Sequence, residues 1–206
     1  MSYTDSSLFT RPSLLVRVRD AGDNESWKTF VQTYGPLVYR YLRRQGLQDA
    51  DAADVMQEVL ADTARSLRTF EYRPERGRFR DWLWTLLRRK LARFYESQKR
   101  NIAGAGEGAA GALEQLESAQ PGPEWTDEFH AQVLRVALER VRPDFEAPTW
   151  RAFELVWLEN RPSDQTAAEL GLPIDAIYVA KSRVLKRLRE EVLMLAEDLP
   201  QFIPLG

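Results

Sequence analysis

The chain has 206 residues, of which 44% are hydrophobic, so it can bury a sizeable core and we do not expect global disorder. It has no cysteine and a single histidine, His130, which excludes disulfides, thiolate metal sites and clusters of histidine ligands. The formal net charge of −2 argues against tight nonspecific binding of the whole chain to nucleic acid. No signal peptide or membrane-spanning apolar run is visible, so we expect a cytoplasmic protein without membrane contact.

Apolar residues recur along the chain at helical spacing, and no segment alternates polar and apolar residues as a strand does. The pattern predicts helices over residues 8–21, 25–45, 50–68, 77–99, 126–141, 148–160, 164–170 and 174–197. Helices of this length and spacing form compact bundles. We therefore expect an all-α protein with two small helical domains.

A change of composition separates the two groups of helices. Residues 101–124 contain four Glu and no Lys or Arg, and Gly and Ala are abundant. A segment with so few large apolar side chains predicts a flexible acidic linker. We expect domains at 14–100 and 125–199, an N-terminal extension at 1–13 and a tail at 200–206.

The third predicted helix has an acidic stripe beside an apolar one. The apolar stripe comprises Val55, Met56, Val59, Leu60, Ala64 and Leu67. The acidic residues, three or four positions apart on another side, are Asp51, Asp54, Glu58 and Asp62. Like charges at this spacing destabilise an isolated helix by about 0.2–0.5 kcal/mol per pair. Three interpretations remain open: a solvated face, a docking surface for a basic or polar partner, and a metal site of paired carboxylates.

Basic and aromatic residues concentrate in the fourth predicted helix and the loop before it. Residues 70–100 carry ten Lys or Arg against four Asp or Glu, and Pro74 and Gly77 mark the loop. The helix is expected to bury an apolar stripe of Phe79, Trp82, Leu83, Leu86, Leu87, Leu91 and Phe94.

Arg80, Trp84 and Arg88 lie four residues apart on a different face of this helix, which we expect to point outward. Unpaired bases stack on aromatic rings and arginines neutralise phosphates. The face therefore predicts contact with a strand taken out of its duplex. The alternative is that Trp84 packs against the first helix while the arginines are solvated.

Residues 163–177 have the pattern of a helix-turn-helix. Ser163 or Asp164 caps the first helix, and Ala167 is small where two helices cross closely. Gly171, four residues later, suits the left-handed conformation that ends a helix. The second helix is expected to bury Ile177, Ala180, Val184, Leu188 and Val192. Its basic outer face predicts entry into a DNA major groove, and a surface helix in an ordinary bundle is the alternative.

Three runs, in this order, resemble the sigma-70 family of RNA polymerase sigma factors. Residues 54–59 resemble the Asp-x-x-Gln-Glu motif of region two, and 79–84 resemble the aromatic-x-x-Trp-Leu run of its promoter-melting helix. Residues 176–188 resemble the recognition helix of region four. Region two, a short linker and region four, with nothing else, are typical of the extracytoplasmic-function (ECF) group.

The resemblance implies a factor that directs core RNA polymerase to promoters, with no catalytic residue, metal or cofactor. The implied contacts to the clamp helices of the largest polymerase subunit are Asp51, Asp54, Gln57 and Glu58, with the flap as a second contact. The implied contacts to the minus-ten element and its single strand are Phe70, Tyr72, Arg73, Arg76, Arg78, Arg80, Trp84, Arg88 and Arg89. The implied contacts to the minus-thirty-five element are Tyr178, Val179, Lys181, Ser182, Arg183 and Lys186. Because two sites on a flexible tether lose avidity without a scaffold, we expect the free protein to bind promoter DNA poorly.

Two positions depart from the family pattern. Arg89 stands where an Asn is common, and residues 178–180 read Tyr-Val-Ala where many members carry Val-Arg-Ser. Two other functions stay open on the residues alone: a helix-turn-helix regulator that is not a sigma subunit, and a metal-dependent nuclease using Asp51, Asp54 and Glu58. The promoter sequence, the inducing signal and the presence of an anti-sigma partner are not specified by the sequence.

Overall fold

The computed structural model describes residues 13–69, 78–103 and 121–196, and all the regular secondary structure in these ranges is helical. In chain order the elements are α1 (Leu14–Arg17), α2 (Asn24–Arg44), α3 (Asp49–Thr69), α4 (Phe79–Ala103), α5 (Pro123–Val141), a 3₁₀ turn (Arg142–Asp144), α6 (Ala147–Phe153), a π turn (Glu154–Leu158), α7 (Ser163–Leu170) and α8 (Ile174–Ala196). The predicted all-α class is confirmed. In these ranges no helix has the length and apolar character needed to cross a membrane.

The chain divides into two compact units, and the division falls inside α5. The N-terminal unit is Leu14–Gln132, and the C-terminal unit is built around Val133–Gly206. We expected the division inside the linker at 101–124, whose residues 104–120 lie outside the described ranges. The first turns of α5 belong to the N-terminal unit because their side chains pack onto α2 and α4.

Helix α1 ends at Arg17, so the prediction of a helix to residue 21 is wrong. Side chains after this point satisfy the backbone in place of a further helical turn. The carboxylate of Asp20 accepts a hydrogen bond from the backbone of Gly22 (2.8 Å), and Asp23 caps α2 by accepting from the backbone of Ser26 (2.9 Å). Aspartates that bond nearby amides favour turns and caps over helix interiors.

The segment predicted as one helix over residues 148–160 is divided. Helix α6 gives way to the π turn, in which the backbone N–H of Glu159 donates to the carbonyl of Glu154 (2.9 Å). Asn160 then adopts a φ of 53°, in the left-handed region, and the helix ends. A π turn adds one residue to a helical turn, and the spacing of apolar residues in the sequence did not predict this extra residue.

Aromatic rings from α2 and α4 meet in the core of the N-terminal unit. Phe30 and Tyr34 of α2 are fully buried, and their ring centroids lie 5.9 Å and 5.2 Å from that of Phe79 at the start of α4. Aromatic side chains bury the largest areas in a core and prefer such tilted contacts. This cluster fixes the position of α4 against α2.

Helices α7 and α8 form the predicted helix-turn-helix in the C-terminal unit. Gly171 ends α7 with φ 63° and ψ 30°, and the backbone N–H of Leu172 donates to the carbonyl of Ala167 (3.0 Å). This is the left-handed cap that the Gly171 position predicted. The prediction that Ser163 or Asp164 caps the start of α7 is wrong, because Pro162 occupies the N-cap position and no side chain makes a capping hydrogen bond there. A small buried cluster of Ala152, Val156, Ala167, Ile177 and Ala180 joins the two helices to α6 and the π turn.

Candidate functional surfaces

The acidic stripe of α3 faces solvent. Asp54, Gln57 and Glu58 are exposed, and Asp51 is half-buried in the first turn. On the opposite side Val55, Val59, Leu60 and Leu67 are buried, while Met56 and Ala64 are half-buried. The predicted separation of the two faces is confirmed.

The acidic stripe is not uniform, because a lysine from α4 pairs with half of it. The ammonium of Lys90 lies 2.8 Å from a carboxylate oxygen of Asp62 and 3.0 Å from one of Glu58. The hydrogen bond from Lys90 lowers the pKa of Asp62 below its usual value, against the effect of burial. Asp54 has no ion pair within the described ranges.

Sequence reasoning missed Lys90, although the like charges of α3 required a nearby cation and α4 was visibly basic. The metal interpretation of the stripe gains no support, since the described part of the chain holds no cluster of three or more potential ligands.

Trp84 of α4 is buried, so the prediction that it lies on an outward face is wrong. Its side chain is 7% exposed, and its ring lies 5.1 Å from that of Tyr41 and 5.2 Å from that of Trp125. Arg80 is 9% exposed, and the half-buried Arg88 places its guanidinium 5.2 Å from the Trp84 ring. Trp84 therefore packs against α2 and α5, which is closer to the alternative interpretation of this face.

The apolar stripe of α4 is confirmed in part. Phe79, Leu83, Leu87 and Leu91 are buried, whereas Trp82, Leu86 and Phe94 are only half-buried. The buried side of α4 includes Trp84 and leaves Trp82, Leu86 and Phe94 at its margin, because α5 covers the side of the helix on which Trp84 lies. Of the loop contacts, Phe70, Tyr72, Arg73 and Arg76 lie outside the described residues.

A different side of α4 faces solvent. Arg78, Arg89 and Arg93 are exposed, with the half-buried Trp82 and Leu86 between them. Steps of four, eight, eleven and fifteen residues from Arg78 return to the same side of an α-helix. An aromatic ring and three arginines therefore share one accessible strip.

The first three turns of α5 supply the contacts that cover Trp84. Trp125 and Phe129 are buried, and the indole N–H of Trp125 donates to the backbone carbonyl of Arg80 (3.1 Å). Phe129 stacks on Tyr34 at a centroid distance of 5.6 Å. The predicted linker ended at residue 124, and the sequence contained no signal that these aromatics return to the N-terminal unit.

Polar groups flank these aromatic contacts. Glu128 forms an ion pair with Arg44 of α2, and the side-chain carbonyl of Gln132 accepts from Arg40 (2.8 Å). Arg80 donates to Nε2 of His130 (2.9 Å).

Most of the α8 side chains predicted to face the major groove are exposed. Tyr178, Val179, Ser182, Arg183 and Lys186 are exposed at helical spacing, and Lys181 is half-buried. The predicted buried stripe of Ile177, Ala180, Val184, Leu188 and Val192 is confirmed. Tyr178 and Val179 are 53% and 55% exposed, so both side chains are accessible to a partner.

Arg187 of α8 forms ion pairs within the protein, so its guanidinium is less available to a partner than that of an exposed arginine. Its guanidinium pairs with Asp144 (2.9 Å) and Glu191 (3.0 Å). Arg183, one turn earlier, is exposed.

Comparisons with known proteins agree on one family. Residues 30–101, which span most of α2 through most of α4, match the model described as Sigma-70 region 2. Over 184 aligned residues the chain is 28% identical to the ECF RNA polymerase sigma factor SigD of Mycobacterium tuberculosis and of Mycobacterium bovis, covering 84% of this chain and 80% of those proteins. This similarity reaches well beyond the region-two match, into the C-terminal half. Residues 30–101 therefore match sigma-70 region 2, and the chain is similar over most of its length to ECF sigma factors of the sigma-70 family.

Proposed function

We propose that this protein is a sigma factor, which binds core RNA polymerase in the cytoplasm and directs it to specific promoters, without catalysing a reaction itself. The observation that carries the proposal is the similarity to ECF sigma factors over 84% of the chain, which joins the region-two match to the C-terminal half. A helix-turn-helix regulator that is not a sigma subunit would not need the region-two half.

The exposed face of α3 is the proposed docking surface for the clamp helices of the polymerase. Asp54, Gln57 and Glu58 offer acceptors to a basic or polar partner. Asp54 has no competing ion pair within the described ranges, so a partner cation gains a contact without displacing an internal one. Complementary charge of this kind governs specificity and the rate of association.

The accessible strip of α4 is the proposed track for the opened strand. Arg78, Arg89 and Arg93 would neutralise phosphates, and Trp82 would provide a ring on which a base stacks. This assignment keeps Arg78 and Arg89 from the sequence interpretation and replaces the buried Trp84 with Trp82. The loop before α4 completes the minus-ten site in this proposal.

The exposed face of α8 is the proposed reader of the minus-thirty-five element. Residues near the start of a recognition helix enter the major groove and later basic residues meet phosphates. Tyr178, Val179, Ser182 and Arg183 lie in the N-terminal half of α8 and would reach base edges, and Lys186, further along the helix, would contact phosphate.

Run-off transcription with purified core polymerase on a promoter library tests the function. We expect the protein to co-purify with the core enzyme and to direct transcripts from a subset of promoters. The matched control is the Asp54→Ala, Glu58→Ala double variant, which should lose both properties while remaining folded. A core enzyme that neither binds the wild-type chain nor starts RNA with it contradicts the proposal.

A further inference from the structure

The exposed face of α8 carries a purely apolar side chain among polar ones. Val179 lies in the second turn of the helix and is 55% exposed. We propose that Val179 contacts the methyl group of a thymine in the minus-thirty-five element, so that the sequence recognised by this protein contains a thymine at that position. The inference rests on the proposed function and specifies which base one residue of α8 selects.

Val179 lies close to the centre of the exposed face. Successive residues of an α-helix are rotated by about 100°, so Val179 points about 140° away from the middle of the buried stripe. Its neighbours one turn before and one turn after, Asp175 and Arg183, are also exposed. The buried stripe that sets this orientation consists of Ile177, Ala180, Val184 and Leu188. When this stripe packs on the core of the unit, Val179 points outward from it.

The charge of the face changes along the helix. Asp175, in the first turn, is exposed, whereas the exposed basic side chains Arg183 and Lys186 come four and seven residues after Val179. Phosphate repels a carboxylate and attracts basic groups. The first two turns of the face therefore suit base edges better than the DNA backbone, as in other recognition helices that enter the major groove by their N-terminal residues.

The chemistry of valine favours one base over the other three. Its side chain can neither donate nor accept a hydrogen bond. In the major groove, thymine is the one base that displays a methyl group, while guanine, adenine and cytosine display acceptors or amino groups. Val179 placed against a polar group would displace its water without replacing the hydrogen bond, which costs free energy. Contact with a thymine methyl instead removes two apolar groups from water, which is favourable.

Deoxyuridine tests this contact, because it differs from thymidine only in lacking the methyl group. The holoenzyme first selects its minus-thirty-five element from a promoter library randomised at that element, and each thymine of the selected element, on either strand, is then replaced singly by deoxyuridine. At one position we expect the replacement to weaken binding of the holoenzyme by about threefold to fourfold, as for the loss of one buried methyl group. The Val179→Ser holoenzyme should bind the thymine and deoxyuridine promoters equally at this position.

Leu158→Ser is the matched control. Leu158 is another exposed apolar side chain of the C-terminal unit (46%), but it lies in the π turn, outside the helix-turn-helix. The Leu158→Ser holoenzyme should keep the wild-type preference for thymine over deoxyuridine. Because Val179 and Leu158 are both exposed, neither variant should lose stability in urea denaturation.

Three results would overturn the proposal: a selected element without thymine, equal binding of the wild-type holoenzyme to every thymine and deoxyuridine pair, or a preference for thymine that persists in Val179→Ser. Run-off transcription by the wild-type protein from the selected promoter separates these results from failure of the proposed function. That transcription requires a sigma factor but does not require a contact to a methyl group.

Discussion

Lys90 of α4 donates a hydrogen bond to the carboxylate of Asp62 of α3 across 2.8 Å, and its side chain is only 13% exposed. Burial alone would lower the pKa of Lys90, but hydrogen bonds to Asp62 and Glu58 raise it above its usual value. The pair ties the proposed docking helix to the helix that carries the proposed strand track. A contact needed for the fold therefore lies beside residues proposed to bind the polymerase.

This pair predicts a pH dependence of stability. The pKa of Asp62 is lowered from 3.8, so its contribution is present above that pH and is lost as the pH falls through the folded-state value. Asp62→Asn should lower the free energy of unfolding by the same amount at all pH values between about 5 and 8, and by progressively less below about 4. Urea denaturation of both proteins across this range measures the difference. A gap that persists unchanged in acid would show that Asp62 does not act through its charge.

Asp54 and Glu58 should differ when replaced, although both face solvent. Asp54→Ala should weaken binding to core polymerase by about tenfold and leave the free energy of unfolding unchanged. Glu58→Ala should weaken binding as well and also lower stability slightly, because Lys90 loses one of its two acceptors. Glu139→Ala removes one exposed carboxylate elsewhere and is the control. If Asp54→Ala binds core polymerase with unchanged affinity, the assignment of α3 to the docking surface is wrong.

Replacement of the two tryptophans of α4 should affect different properties. Trp84→Ala removes a buried ring and should lower the free energy of unfolding by about 3–5 kcal/mol. Trp82→Ala, on the accessible strip, should cost less stability and should reduce promoter opening more than polymerase binding. Urea denaturation and permanganate footprinting of the opened strand separate these effects. If a Trp84→Phe variant with wild-type stability failed to open promoters, Trp84 would have to be assigned to the single-strand contact.

Arg183 and Arg187 form a matched pair on α8. Arg183→Ala should weaken recognition of the minus-thirty-five element by about 1–3 kcal/mol and leave the fold intact. Arg187→Ala should instead lower stability, because it breaks the pairs with Asp144 and Glu191, and should preserve the sequence preference. Binding of holoenzyme to promoters with altered upstream elements distinguishes the two. A changed sequence preference in Arg187→Ala would contradict this division.

The sequence predicted correctly those features that depend on residues close together in the chain. Helical periodicity located α2, α3 and α8, and Gly171 located the turn of the helix-turn-helix with its left-handed φ. The acidic face of α3 could be predicted because an amphipathic helix divides its own residues between core and solvent. Lys90, which pairs with Glu58 and Asp62 of this face, could not be placed, since it comes from another helix.

Sequence alone therefore determined the helical class, most helix positions, the order of the motifs and the outward side chains of α3 and α8. Only the tertiary structure decided which side of α4 is buried. Tryptophan and arginine have apolar bodies and polar tips. The pattern of Arg80, Trp84 and Arg88 is therefore compatible with a solvent-exposed face or with a face buried by another helix. The choice depends on Trp125, 41 positions after Trp84 and beyond the linker, and local periodicity does not report a contact between residues so far apart.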